Sequence, residues 1–152
     1  MAQTIPRSSY PELWQALNRL KCVRTYSQGA SVFRQGRPAH GIYLIEKGEV
    51  RLTLPSSVKP ERTFEVAGPG TVLGLSETMT GEAYKLSAEA VGPAEIAHVE
   101  RATLLKFLRD HHQFCLQVVR LLSDDLHQLY QRFQCVNSEE RSRRKASPAS
   151  VN

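Results

Sequence analysis

The residues best placed to do chemistry in this chain lie between positions 68 and 90, GPGTVLGLSETMTGEAYKLSAEA. A glycine-punctuated turn, a small polar loop and a returning strand follow one another in this stretch. Such a segment can aim backbone N–H groups and hydroxyls at one point, which is how phosphate-binding loops hold an anion. The candidate ligand-binding residues are Gly74, Leu75, Ser76, Glu77, Thr78, Tyr84, Lys85, Leu86 and Ser87. The hydroxyls and Glu77 can supply polar contacts, and Lys85 can swing in to meet an anion as a mobile point charge. A plainer reading has Ser76, Glu77 and Thr78 capping the turn after the sixth strand, with Glu77 favourable near a helix N-terminus.

Other chemistry is poorly supported. The histidines are His40, His98, His111, His112 and His127. No HxH pair sits on a strand, and adjacent side chains such as those of His111 and His112 diverge on a helix. A cupin-type metalloenzyme is therefore a remote alternative. Neither a G-x-S-x-G elbow, a P-loop nor a Cys/His nucleophile pattern is present. No metal site and no catalytic activity are expected. Cys22, Cys115 and Cys135 are odd in number and widely spaced, unlike a disulfide framework or zinc site.

The elements that must position the 68–90 segment show in the periodicity. SYPELWQALNRL, residues 9–20, predicts a short helix with Ser9 as cap, Pro11 in its first turn and an apolar stripe of Leu13, Trp14, Leu17 and Leu20. Short strand-like segments then alternate with turn signals: CVRTY, SVF, GIYLI, EVRLTL, TFEVA, VLGL, KLSAEAV and AEIAHV. Many short strands at near-regular spacing argue for a jelly roll. PSSVKPER, 55–62, predicts an exposed hairpin connection. From Arg101 the period changes to helical, with RATLLKFLRDHH as one helix and 113–136 as a longer one. Along the second, Cys115, Val119, Leu122, Leu126, Leu129, Phe133 and Val136 step by alternating fours and threes, a heptad seam. Such a seam serves either the domain's own core or pairing with a second copy. The homodimer interface expected is Val119, Leu122, Leu126, Leu129 and Phe133.

Composition sets the outer bounds. The 152 residues carry a net charge of +5. Arg141, Arg143, Arg144 and Lys145 cluster in a tail with almost no apolar content, and the body shows no concentrated basic stripe of the nucleic-acid-binding kind. No apolar run approaches the ~20 residues of a membrane helix, and MAQTIPRSSYPELW lacks the apolar stretch of a signal peptide. A cytoplasmic protein without membrane contact is expected. The predicted organisation is a helical lead-in over 1–20, a jelly roll over 21–111, a dimerisation helix over 112–137 and a disordered basic tail over 138–152.

The order of these parts resembles the sensor half of a Crp/Fnr-type bacterial regulator. VFRQGRPAHGIYLIEKGEVRLTL is similar to that family's early strands, with Gly36, Gly41, Tyr43, Leu44, Gly48 and Val50 in matching places. GPGTVLGLSE is similar to the approach to the family's phosphate-binding cassette. The resemblance implies a mainly β fold with flanking helices: a double-stranded β-helix (jelly roll) of the cyclic-nucleotide-binding-domain type, plus a long C-terminal dimerisation helix. It also implies a small effector, cyclic AMP or another, and an output in transcriptional regulation.

Two departures bear on that reading. Family members that bind cyclic nucleotides follow the cassette glycine with a glutamate for the ribose hydroxyl, and later hold the phosphate with an arginine. Here Leu75 follows Gly74, and Tyr84 stands where the arginine would be. Losing both anchors would weaken binding on the order of 10²- to 10⁴-fold. The family also continues into a winged helix-turn-helix after the long helix, whereas nothing foldable is expected here after Val136. Sequence-specific DNA contact by this chain alone is therefore not expected. The alternative is a degenerate interaction module, with Tyr84 and Leu86 filling the space used by nucleotide elsewhere.

Overall fold

A computed structural model describes residues 2–4, 11–54, 62–123, 127 and 131. Helix α1, Pro11–Leu20, starts at the proline and buries Leu13, Trp14 and Leu17. Among the described residues nine strands follow or flank it: β1 (Ala2–Thr4), β2 (Cys22–Tyr26), β3 (Ser31–Phe33), β4 (Gly41–Lys47), β5 (Val50–Leu54), β6 (Arg62–Ala67), β7 (Thr71–Leu73), β8 (Ser87–Ala90) and β9 (Ala94–Glu100). Helix α2, Leu75–Thr80, interrupts them, and helix α3, Arg101–Asp110, follows them. A further helix, α4, occupies 112–123.

The strands form two antiparallel sheets, β1-β7-β4-β9-β2 and β3-β8-β5-β6, which face each other as the predicted roll. Strand alternation assigns the two faces of the larger sheet. Ile42 and Leu44 of β4, with Val99 of β9, pack against α1, α3 and α4 in one apolar cluster. Ile45 and Ile96 point the other way and meet Val50, Leu52 and Ala88 of the smaller sheet, with Tyr43 packed beside them. Both faces of β4 are thus covered, which accounts for its unbroken apolar run, GIYLI.

The predicted segments coincide with strands except beside the cassette. VLGL is a strand only to Leu73, because Gly74 adopts a left-handed conformation (φ +75°) and Leu75 begins α2. The polar loop expected here is a six-residue helix bracketed by Gly74 and Gly81, both left-handed. KLSAEAV shortens to Ser87–Ala90, leaving Lys85 and Leu86 outside the ladder. Strand β1, not foreseen, pairs Ala2–Thr4 with Thr71–Leu73.

The helix predicted over 101–112 ends at Asp110; His111 leaves helical geometry (φ −130°, ψ 77°) and α4 starts after it. Phe114, Val118 and Leu121 of α4 are buried in the chain's own core, while Cys115 and Leu122 lie only partly against it and Val119 is 55% exposed. Two apolar stripes offset by one residue therefore run along α4, one inward and one along the heptad positions. The loop at 55–61, the seam positions Leu126, Leu129 and Phe133, and the tail over 138–152 lie outside the described residues.

Candidate functional site

The segment that carries Tyr84 is fixed by its backbone before any side chain is considered. Gly36 N–H donates to the Tyr84 carbonyl at 2.9 Å, and Tyr84 N–H donates to the Arg37 carbonyl at 3.0 Å. An isolated bridge joins Pro38 to Ala83. Clamped in this way, the Tyr84 side chain turns into the roll and is only 4% exposed. Its hydroxyl donates to the Gly41 carbonyl at 2.6 Å. Its ring stacks on Phe33, centroids 4.2 Å apart, and Phe33 in turn lies 5.4 Å from Tyr43. Burial pushes the pKa of both Tyr84 and Tyr43 above the ordinary phenol value, so both stay neutral across the physiological range.

Close approach to two glycines completes the packing. A Cβ on Gly74 would sit 2.8 Å from Tyr84 Cε1, and one on Gly41 would sit 2.1 Å from the Val99 carbonyl oxygen. Both positions need glycine: at Gly74 for the positive φ and the ring, at Gly41 for the neighbouring strand.

What remains between Phe33, Leu52, Leu73, Gly74, Glu77, Tyr84 and Leu86 is a small recess. It has room for about one water. Gly74, Glu77, Tyr84 and Leu86 of the predicted set converge on this recess. The others do not. Leu75 is buried on the opposite side, in the cluster beneath α1, α3 and α4. The Ser76 carbonyl accepts the Thr80 hydroxyl within α2. Thr78 is fully buried, its carbonyl accepting from Arg101 Nε at 2.9 Å. The Lys85 side chain is 67% exposed and faces Glu82 at 3.6 Å. Ser87 Oγ accepts the Gln35 N–H at 3.0 Å. Lys85, which the sequence offered as a candidate anion contact, therefore points to solvent, away from the roll.

Sequence reasoning missed Phe33, Tyr43 and His98. His98 on β9 lies against the Tyr43 ring, centroids 4.6 Å apart, and its Nε2 is buried with no hydrogen-bond partner among the described residues. Burial, aided by Arg24 and His40 and opposed by Glu100, holds its pKa below the usual histidine value of about 6.5. The unfolded chain then binds the proton that folded His98 resists. Stability is fully present above pH ~6.5 and falls as the pH drops from there toward the folded-state pKa. Urea midpoints at pH 7.5 and 5.5 check this: His98→Gln should lessen the loss on acidification, and an equal loss in both proteins would contradict it.

No group of three or more His, Cys, Asp or Glu side chains among the described residues could hold a metal ion. Cys22 lies exposed on edge strand β2, and Cys115 donates its thiol to the Leu108 carbonyl at 3.2 Å. No helix among the described residues is long and apolar enough to cross a membrane.

A jelly roll with a glycine-bracketed helix between its seventh and eighth strands defines a class, and comparison with known proteins agrees. The chain belongs to the cyclic nucleotide-binding domain family, whose model matches residues 23–111. Its solved neighbours are Crp/Fnr-type regulators. The catabolite activator protein of Thermus thermophilus is 27% identical with a TM-score of 0.75, over 86% of this chain and 61% of that one. The sensor domain of the transcriptional regulator DNR from Pseudomonas aeruginosa is 27% identical with a TM-score of 0.66, over 80% and 81%. Among curated proteins, mouse patatin-like phospholipase domain-containing protein 7 is 24% identical over 98 residues, 64% of this chain but 7% of the phospholipase.

Proposed function

We propose that the chain is a regulatory sensor domain that takes a small effector other than a cyclic nucleotide in its roll and pairs with a second copy through α4 and the residues after it. Its output would be transcriptional, exerted through a partner or by mixed dimers, and its role binding rather than catalysis. One observation carries the effector half of the reading: Tyr84, at the position of the family's arginine, is buried, bonded to the Gly41 carbonyl and stacked on Phe33. A ring so placed offers a cyclic phosphate neither charge nor a two-point grip. The small share of the phospholipase that is matched gives no ground for carrying its activity to this chain.

The pairing half is supported by the exposed stripe on α4. Leu116 is 66% and Val119 55% exposed, beside an inward stripe already satisfied by the core. The heptad spacing continues in the sequence through Leu126, Leu129 and Phe133. Light scattering should give twice the chain mass for the native protein and the single-chain mass for Val119→Asp with Leu126→Asp. A native monomer, or a dimer unmoved by both aspartates, would contradict the pairing. A second reading, a closed roll that serves only as an interaction module, is favoured by the small size of the recess. It predicts no thermal response to any small molecule.

A further inference from the structure

Glu77 is the one acidic side chain among the described residues in the wall of the recess, and it is only 4% exposed. Its Oε2 has no hydrogen-bond donor among the described residues. A buried carboxylate oxygen without a donor is costly, so its persistence in a wall that faces free space calls for an occupant that supplies one. No ion pair to Glu77 forms among the described residues. Lys85 points to solvent beside Glu82, and Arg101 Nε is committed to the Thr78 carbonyl. The rest of the wall is apolar or aromatic: Phe33, Leu52, Tyr84 and Leu86.

We infer that this recess seats the ammonium head of a small protonated amine, with Glu77 as its anionic partner. The inference rests on the sensor reading of the roll and names the class of its ligand. Size and charge agree. Room for about one water matches an –NH₃⁺ group and excludes a ribose or a cyclic phosphate. The carboxylate would accept a charge-assisted hydrogen bond from the ammonium, stronger than one from a neutral donor. Replacement of the family's arginine by Tyr84 thus does more than remove a phosphate grip; it leaves a carboxylate as the only charged side chain lining the recess among the described residues.

The test is a thermal-shift titration of the native protein with ethylammonium chloride, at constant ionic strength set with sodium chloride. Ethanol, similar in size but neutral, is titrated in parallel. Taken to about 100 mM, a hundredfold above a millimolar dissociation constant, ethylammonium should raise the midpoint by roughly 5–10 °C in a saturable way, and ethanol should not. In Glu77→Gln the apparent affinity for ethylammonium should fall at least about tenfold. Equal responses to ethylammonium and ethanol, or none to either, would overturn the inference without recourse to the variant. A rise with cyclic AMP and none with ethylammonium would overturn it too, while leaving a sensor role in place. The mass of the native protein, measured on the same samples, judges pairing separately.

Discussion

Tyr84→Ala should destabilise the domain by about 3–5 kcal/mol, the cost of emptying an aromatic site in a packed core. The ring lies between Phe33 and Gly74, and its neighbours belong to two hydrogen-bonded sheets packed face to face, so the site has little room to collapse. The melting midpoint should fall by roughly 10 °C or more. Tyr84→Phe separates the two components. It keeps the stacked ring and removes the hydroxyl, leaving the Gly41 carbonyl without its donor at a cost of about 1–3 kcal/mol. Urea denaturation of the three proteins measures both. An alanine variant within about 1 kcal/mol of the native protein would mean that the ring does not hold the roll closed.

Cyclic nucleotides should bind on the order of 10²- to 10⁴-fold more weakly than they would to a site with both charged anchors in place. Each missing anchor has a specific structural cause. Leu75, which the resemblance sets where a ribose-binding glutamate would stand, packs under the helices and faces away from the recess. Tyr84 fills the volume where an arginine would reach the phosphate, and Lys85 cannot replace it while turned to solvent. The inward carboxylate of Glu77 adds repulsion, because an anion entering the recess would meet a like charge. Weak binding here therefore follows from occupied volume and wrong charge together.

Much of this architecture was legible in the sequence, for identifiable reasons. The strands announce themselves because each is short, apolar and bounded by glycine or polar turns, and α1 because Pro11 and the Leu13–Trp14–Leu17 stripe mark its start and face. Filling of the roll by Tyr84 and Leu86 was one of the two readings the residue types allowed, and both side chains are buried in it. Helix α2 was not legible: six residues are too few to show a 3.6-residue period, and its only signal was the Gly74–Gly81 bracket. Strand β1 is three residues long and exists only by pairing with β7, a contact some 70 residues away in sequence. The aromatic neighbours of Tyr84 were hidden for the same reason. Phe33 and Tyr43 come from β3 and β4, and only the closing of two sheets brings them to the cassette. Local pattern reveals elements, whereas the content of the site depends on which strands become neighbours.

The central claim is that this roll has the family's fold without its cyclic-phosphate grip. Calorimetric titration of the native protein with cyclic AMP tests it most directly. The structure predicts no saturable heat up to about 1 mM nucleotide. A one-site isotherm with a dissociation constant at or below about 10 μM would contradict it, and would require Tyr84 to leave the roll when nucleotide enters.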